Sequence, residues 1–160
     1  MNKLTIPFLD ESFGKIFEQC VRGYHDSEKV EKLLLYKENV ERSAKDYLKF
    51  ITYDIEHYTE ITVNSDDKEM LVDVYKEKFS KVSFKEGLAY YDKILAGAKG
   101  KCAICSIGVA STLDHYLPKA EYPTLCVFPA NLVPECQSCN KNKGDFIQRE
   151  NEKNVVSSLL

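Results

Sequence analysis

The chain has 160 residues, 44% apolar and 29% charged, with a formal net charge of −3. That describes one globular domain, or one domain plus a small module, long enough to bury a core of its own. No apolar run approaches the ~20 residues that cross a bilayer, and a net acidic balance argues against tight nucleic-acid capture without help from a partner or oligomer.

The N-terminus meets Asp10 and Glu11 before any long apolar run, which is not the pattern of a signal peptide, so a cytoplasmic protein is expected. Asp10 or Ser12 can cap a first helix carrying Phe13, Ile16, Phe17, Cys20 and Val21 on one face, with Gly23 ending it. From Asp26-Ser27 onward, Val30, Leu33, Leu34, Val40, Ala44, Tyr47, Leu48, Ile51 and Ile55 recur mostly at three- and four-residue steps. This predicts an amphipathic helix, or two with the break at Asn39. Residues 59–65 read as a linker or a short extended piece. Asp66 with Glu69, and Ser83 with Glu86, have the spacing of capping boxes. The helices that follow carry Met70, Leu71, Val74, Tyr75 and Phe79, then Phe84, Leu88, Tyr91, Ile94 and Leu95, and the second stops at Gly97 and Gly100.

Cysteines dominate what comes next. Cys102-x-x-Cys105 and Cys136-x-x-Cys139 are two pairs whose spacing lets one tight turn aim both sulfurs at a single ion. Four thiolates close the tetrahedral shell of Zn²⁺, so the expected ion is structural. Four buried thiols or two disulfides are the alternatives, and the absence of a secretory signature argues against disulfides. Cys20 and Cys126 lie in apolar segments and are expected in the core. His25 and His57 are expected at the surface and carry no assigned role.

Asp114 and His115 are adjacent between the pairs, and Asn140 follows the last cysteine. Neighbours on a strand point to opposite faces, so service of one site by both implies a bend or a strand end there. Pro118 fits a strand that is ending. Asn140 falls at the expected start of a helix opened by the second pair.

Leu113-Asp114-His115-Tyr116-Leu117-Pro118-Lys119, Asn131-Leu132-Val133-Pro134 and Cys136-x-x-Cys139-Asn140-x-x-Lys143-Gly144 together resemble the HNH endonuclease family, over about 45 residues. The version with a Cys₄ zinc is similar to HNH proteins of bacterial restriction and phage-defence systems, Septu-type systems among them. The last motif position is often His in that family and is Asn140 here, an oxygen ligand that suits Mg²⁺ or Mn²⁺.

The resemblance implies an α+β fold: a helical scaffold or docking region over 1–98, a zinc-stabilised ββα-metal module over 99–145 and a tail over 146–160. It also implies nuclease chemistry on nucleic acid, DNA being the expected substrate, in an antiviral or restriction setting. Asp114 and Asn140 would hold Mg²⁺ or Mn²⁺, His115 would act as general base, and Asn131 would tie the loop between the strands. Lys119 and Lys143 are candidates for backbone phosphates. A partner ATPase subunit or a homo-oligomer is a further expectation, and no membrane is. The tail's Val155, Val156, Leu159 and Leu160 need a cover, and a longer relative truncated here is one reading of that end. The rival reading is a catalytically silent zinc module that binds nucleic acid or protein.

Overall fold

The structure is a computed structural model and describes residues 6–8, 13–51 and 55–143, the side chains of Glu56 and Lys143 excepted. The expected cap at Asp10 or Ser12 and the tail over 146–160 lie outside the described residues. Helix α1 (Phe13–Val21) buries Ile16, Phe17, Cys20 and Val21, the face its spacing predicts. Helix α2 (Ser27–Leu34) is capped by Asp26, whose carboxylate accepts the Lys29 N–H at 3.1 Å.

The break before α3 (Lys37–Phe50) falls at Leu35 and Tyr36, not at Asn39. The reason is tertiary. Tyr36 turns its hydroxyl onto Asp67 of α4 (Ser65–Val74) at 2.5 Å, while Asn39 lies within α3 and accepts from Arg42. The cap of α4 also differs from expectation. Asn64, two residues before Asp66, holds the cap position: it accepts the Asp67 N–H at 2.9 Å and donates back to the Asp67 carboxylate at 2.7 Å. At α5 (Lys85–Ala96), Phe84 holds the cap position with no side-chain bond, so Ser83 and Glu86 form no box. The Phe84 ring instead packs beside Lys78.

Between α4 and α5 the helix widens into one π turn, Tyr75–Phe79, closed by the Ser80 N–H and hydroxyl on the Tyr75 carbonyl at 2.9 and 3.0 Å. Among the described residues the sheet is one antiparallel pair, β1 (Thr112–His115) with β2 (Leu132–Glu135), followed by α6 (Gln137–Lys143). Its register sets Asp114 opposite Val133 and His115 opposite Leu132. Thr112, Asp114, Val133 and Glu135 therefore share one face, and Leu113, His115, Leu132 and Pro134 the other.

The two faces meet two apolar clusters. Val133 packs with Tyr47, Tyr58, Tyr116, Leu117 and Phe128. Leu113 and Leu132 pack with Phe17, Leu71, Tyr75, Phe79 and Ile94. Each cluster joins helices of the 1–98 region to the strands beyond, so the hairpin has its core in common with the helices. No helix among the described residues is long and apolar enough to cross a membrane.

Candidate metal and catalytic site

The four paired cysteines converge. Their sulfurs all lie within 4.8 Å of one another, and Cys105 and Cys136 are 3.9 Å apart. Zn–S bonds of about 2.3 Å give a tetrahedron with edges of roughly 3.8 Å, so the donor set fits a zinc ion. The first knuckle is shaped by its backbone. Cys102 N–H bonds the Gly108 carbonyl at 2.8 Å, Ser106 N–H bonds the Cys102 carbonyl at 2.9 Å, and Ser106 takes φ 58° to close the turn. Gly108 is required by space, because a Cβ there would stand 2.8 Å from both Cβ and Sγ of Cys136. Ala103 N–H bonds the Pro134 carbonyl at 2.9 Å and ties the knuckle to β2. The Cys105 thiol is pushed down to about 6, first by the Gly108 N–H that donates to its sulfur. Burial raises Cys139 instead. A dication among the sulfurs lets all four ionise.

Strand β1 ends at His115. His115 is 3% exposed, and its Nε2 lies 2.9 Å from the Cys126 carbonyl oxygen. A carbonyl only accepts, so this bond selects the Nε2–H tautomer of the neutral ring and leaves Nδ1 as the acceptor nitrogen. Tyr75 flanks the ring, with centroids 4.5 Å apart at 69°. Asp114 is half-buried and points to the opposite face of the strand from His115.

Asn131 is fully buried and acts on the backbone. Its Oδ1 accepts the Leu117 N–H at 2.8 Å, and its Nδ2 donates to the Leu117 carbonyl at 3.0 Å and the Leu125 carbonyl at 3.4 Å. It thereby fastens the 116–131 loop, including the short turn Pro123–Leu125 that presents the Cys126 carbonyl. Helix α6 packs against β1 and carries Asn140, half-buried, whose N–H bonds the Cys136 carbonyl at 3.1 Å. Lys119 is half-buried, with Nζ 5.9 Å from the centre of the Tyr75 ring. Lys143 ends α6, and its side chain lies outside the described residues, as does Gly144.

Several residues at the site have no local signal in the sequence. Tyr75 and Tyr91 read there as ordinary helix-face aromatics, and Cys126 as a core thiol. The Cys126 side chain is indeed in the core, its thiol donating to the Leu71 carbonyl at 3.1 Å, while its own carbonyl meets His115. Cys20 is fully buried too, and burial pushes its thiol up to about 12. His25 and His57 are exposed.

No protein-family model matches the chain, and no solved structure does. Among curated proteins it is similar to Protein ea31 of Escherichia phage lambda, 31% identical over 150 residues, which cover 88% of this chain and 50% of that protein. It is also similar to the Septu protein PtuB of Bacillus thuringiensis, 36% identical over 56 residues, which cover 32% of this chain and 22% of that protein. The chain thus spans about half the length of the first and less than a quarter of the second. Structure and similarity together establish a mixed helical fold with a small two-stranded sheet, a four-cysteine cluster able to hold zinc, and a partial likeness to a Septu protein.

Proposed function

We propose that the chain is a metal-dependent phosphodiester hydrolase of the HNH endonuclease type, acting on DNA. The observation that carries this reading is the bond from His115 Nε2 to the Cys126 carbonyl. It favours the tautomer a general base needs, with the lone pair on Nδ1, at the end of a strand that also bears Asp114.

Asp114 and Asn140 offer hard oxygen donors on β1 and on the helix packed against it, and they would hold Mg²⁺ or Mn²⁺. That cation would supply charge relief at phosphorus and at the leaving oxygen. His115 Nδ1 takes a proton from the attacking water, and the Cys126 carbonyl stabilises the imidazolium that forms. Asn131 holds the loop that carries this carbonyl. Lys119 meets a backbone phosphate. The four cysteines hold Zn²⁺ and act on the fold, not on the substrate.

The similarity to PtuB supports a place in antiviral defence, in the cytoplasm, and we extend the proposal to activity that depends on a partner subunit such as an ATPase or on a second copy. The chain's net charge of −3 supports that dependence. A plasmid-nicking assay of the full chain, with Mg²⁺ or Mn²⁺ and with EDTA, tests the reading. Metal-dependent nicking lost in His115→Ala is expected, and nicking that survives EDTA and the substitution refutes it. The second reading, a silent zinc module that binds nucleic acid or protein, is favoured by the 3% exposure of His115. Binding without nicking, alone and with a co-purified partner, would select it.

A further inference from the structure

The pair Leu113 and Pro134 faces across the sheet without ladder bonds, since Tyr116 N–H to the Asn131 carbonyl sets the alternation. Pro134 loses nothing there. Leu113 consequently directs its N–H and C=O to the outer edge of β1, and two helical tyrosines receive them. The Leu113 N–H donates to Tyr91 Oη at 3.1 Å, and Tyr75 Oη donates to the Leu113 carbonyl at 3.3 Å. Burial raises the Tyr75 phenol and keeps it a donor.

Tyr75 touches the site a second time. Its ring meets the His115 imidazole at 4.5 Å and 69°, and it is itself backed by Phe79, stacked at 5.6 Å and 23°. Tyr75 and Phe79, four residues apart at the two ends of the π turn, lie on one side of the helix. Single π turns of this kind recur at functional sites.

From this geometry we infer that Tyr75 is a positioning residue for His115: its hydroxyl pins β1 two residues upstream, and its ring stops the imidazole from tilting off the Cys126 carbonyl. The consequence for catalysis rests on the proposed nuclease reading; the positioning itself does not. A hydrogen bond to the carbonyl fixes one atom of the imidazole, and the Tyr75 ring fixes its plane. A group displaced by a fraction of an ångström loses rate without losing substrate binding.

The test uses the full ¹⁵N-labelled, zinc-loaded chain and its Tyr75→Phe, Tyr75→Leu and His115→Ala forms, the last assigning the His115 nitrogens. Imidazole nitrogen shifts report the tautomer, and single-turnover nicking of plasmid with Mn²⁺ reports the rate. In Tyr75→Leu, the Nε2–H signature of His115 is expected to give way to mixed tautomers, with nicking slowed by about 10- to 100-fold and KM little changed. Tyr75→Phe, which keeps the ring, should fall between. A folded Tyr75→Leu with unaltered His115 shifts overturns the inference, and altered shifts with unaltered nicking overturn its consequence for catalysis. Should Tyr75→Leu fail to fold, Tyr75→Phe decides: faster exchange of the Nε2 proton supports the role, and wild-type exchange overturns it. If the wild type, with and without a co-purified partner, nicks nothing, the nuclease reading falls, and the nitrogen shifts alone judge Tyr75.

Discussion

His115 and Cys126, eleven residues apart, are joined by a 2.9 Å bond between the imidazole Nε2 and the backbone carbonyl oxygen. The contact gives a buried polar ring a partner and at the same time sets which nitrogen carries its proton. Replacing His115 with Ala removes both. Cleavage should fall by about 10²–10⁴-fold if the ring is the general base. Stability should fall by about 1–3 kcal/mol, because the Cys126 carbonyl is left without this donor and a small cavity opens. Plasmid nicking and thermal denaturation measure the two effects. Loss of activity with the zinc content intact separates chemistry from collapse.

Asn131 offers a stability test that needs no substrate. It satisfies the Leu117 N–H, the Leu117 carbonyl and the Leu125 carbonyl from a fully buried position. Asn131→Ala should therefore destabilise the chain by about 3 kcal/mol or more, equivalent to about 10 °C in Tm for a domain of this size. Asn131→Asp should do no better, since one carboxylate oxygen can still accept from Leu117 but the other would face two carbonyls. A Tm within a degree or two of wild type in either variant contradicts the role.

Zinc and folding should be lost together. Cys136→Ser is expected to bind less than one zinc per chain and to melt at lower temperature, because the metal's binding energy is folding energy. Gly108→Ala is the subtler probe, as its methyl group would stand 2.8 Å from Cys136 Sγ and press on a ligand without replacing it. A drop in zinc affinity of about 10-fold or more is expected from chelator competition. Equal affinity in Gly108→Ala would mean that the knuckle relaxes freely.

The loop that carries Cys126 is also tied to an ionisable group. Thr124 donates its hydroxyl to the carboxylate of Glu60, and burial pushes Glu60 up to about 7 from an ordinary value of 4.5. The folded state therefore holds a proton that the unfolded state releases. The contribution is fully present below pH 4.5 and is lost as pH rises through about 7, so stability should decline across that window. The effect is on the order of 3 kcal/mol at most. Denaturant titrations of wild type and Glu60→Gln at about pH 4.5, 6 and 8 should show a slope in the first that is reduced in the second. Parallel profiles would mean that Glu60 is not the titrating group.

Much of this architecture is legible in the chain itself. Two CxxC pairs define a metal clamp because ligand geometry acts over a few residues, and the sulfurs are gathered as expected. Three- and four-residue apolar steps mark the helices, and the start read at Asp26-Ser27 is where α2 begins. The capping residue of α4 and the break at Leu35 and Tyr36 are less legible, since Asn64 and Tyr36 both answer to Asp67, which Tyr36 reaches across the fold.

Residue type and short spacing were enough to specify the cysteine clamp, the helical composition of the first hundred residues or so, and Asp114, His115 and Asn140 as candidates, while Asn131 came from the family resemblance alone. Three-dimensional packing was needed to bury His115 against the Cys126 carbonyl and to lay Tyr75 and Tyr91 over the edge of β1. Those relationships join segments up to 40 residues apart, and the direction in which elements pack, which no local pattern encodes, selects them.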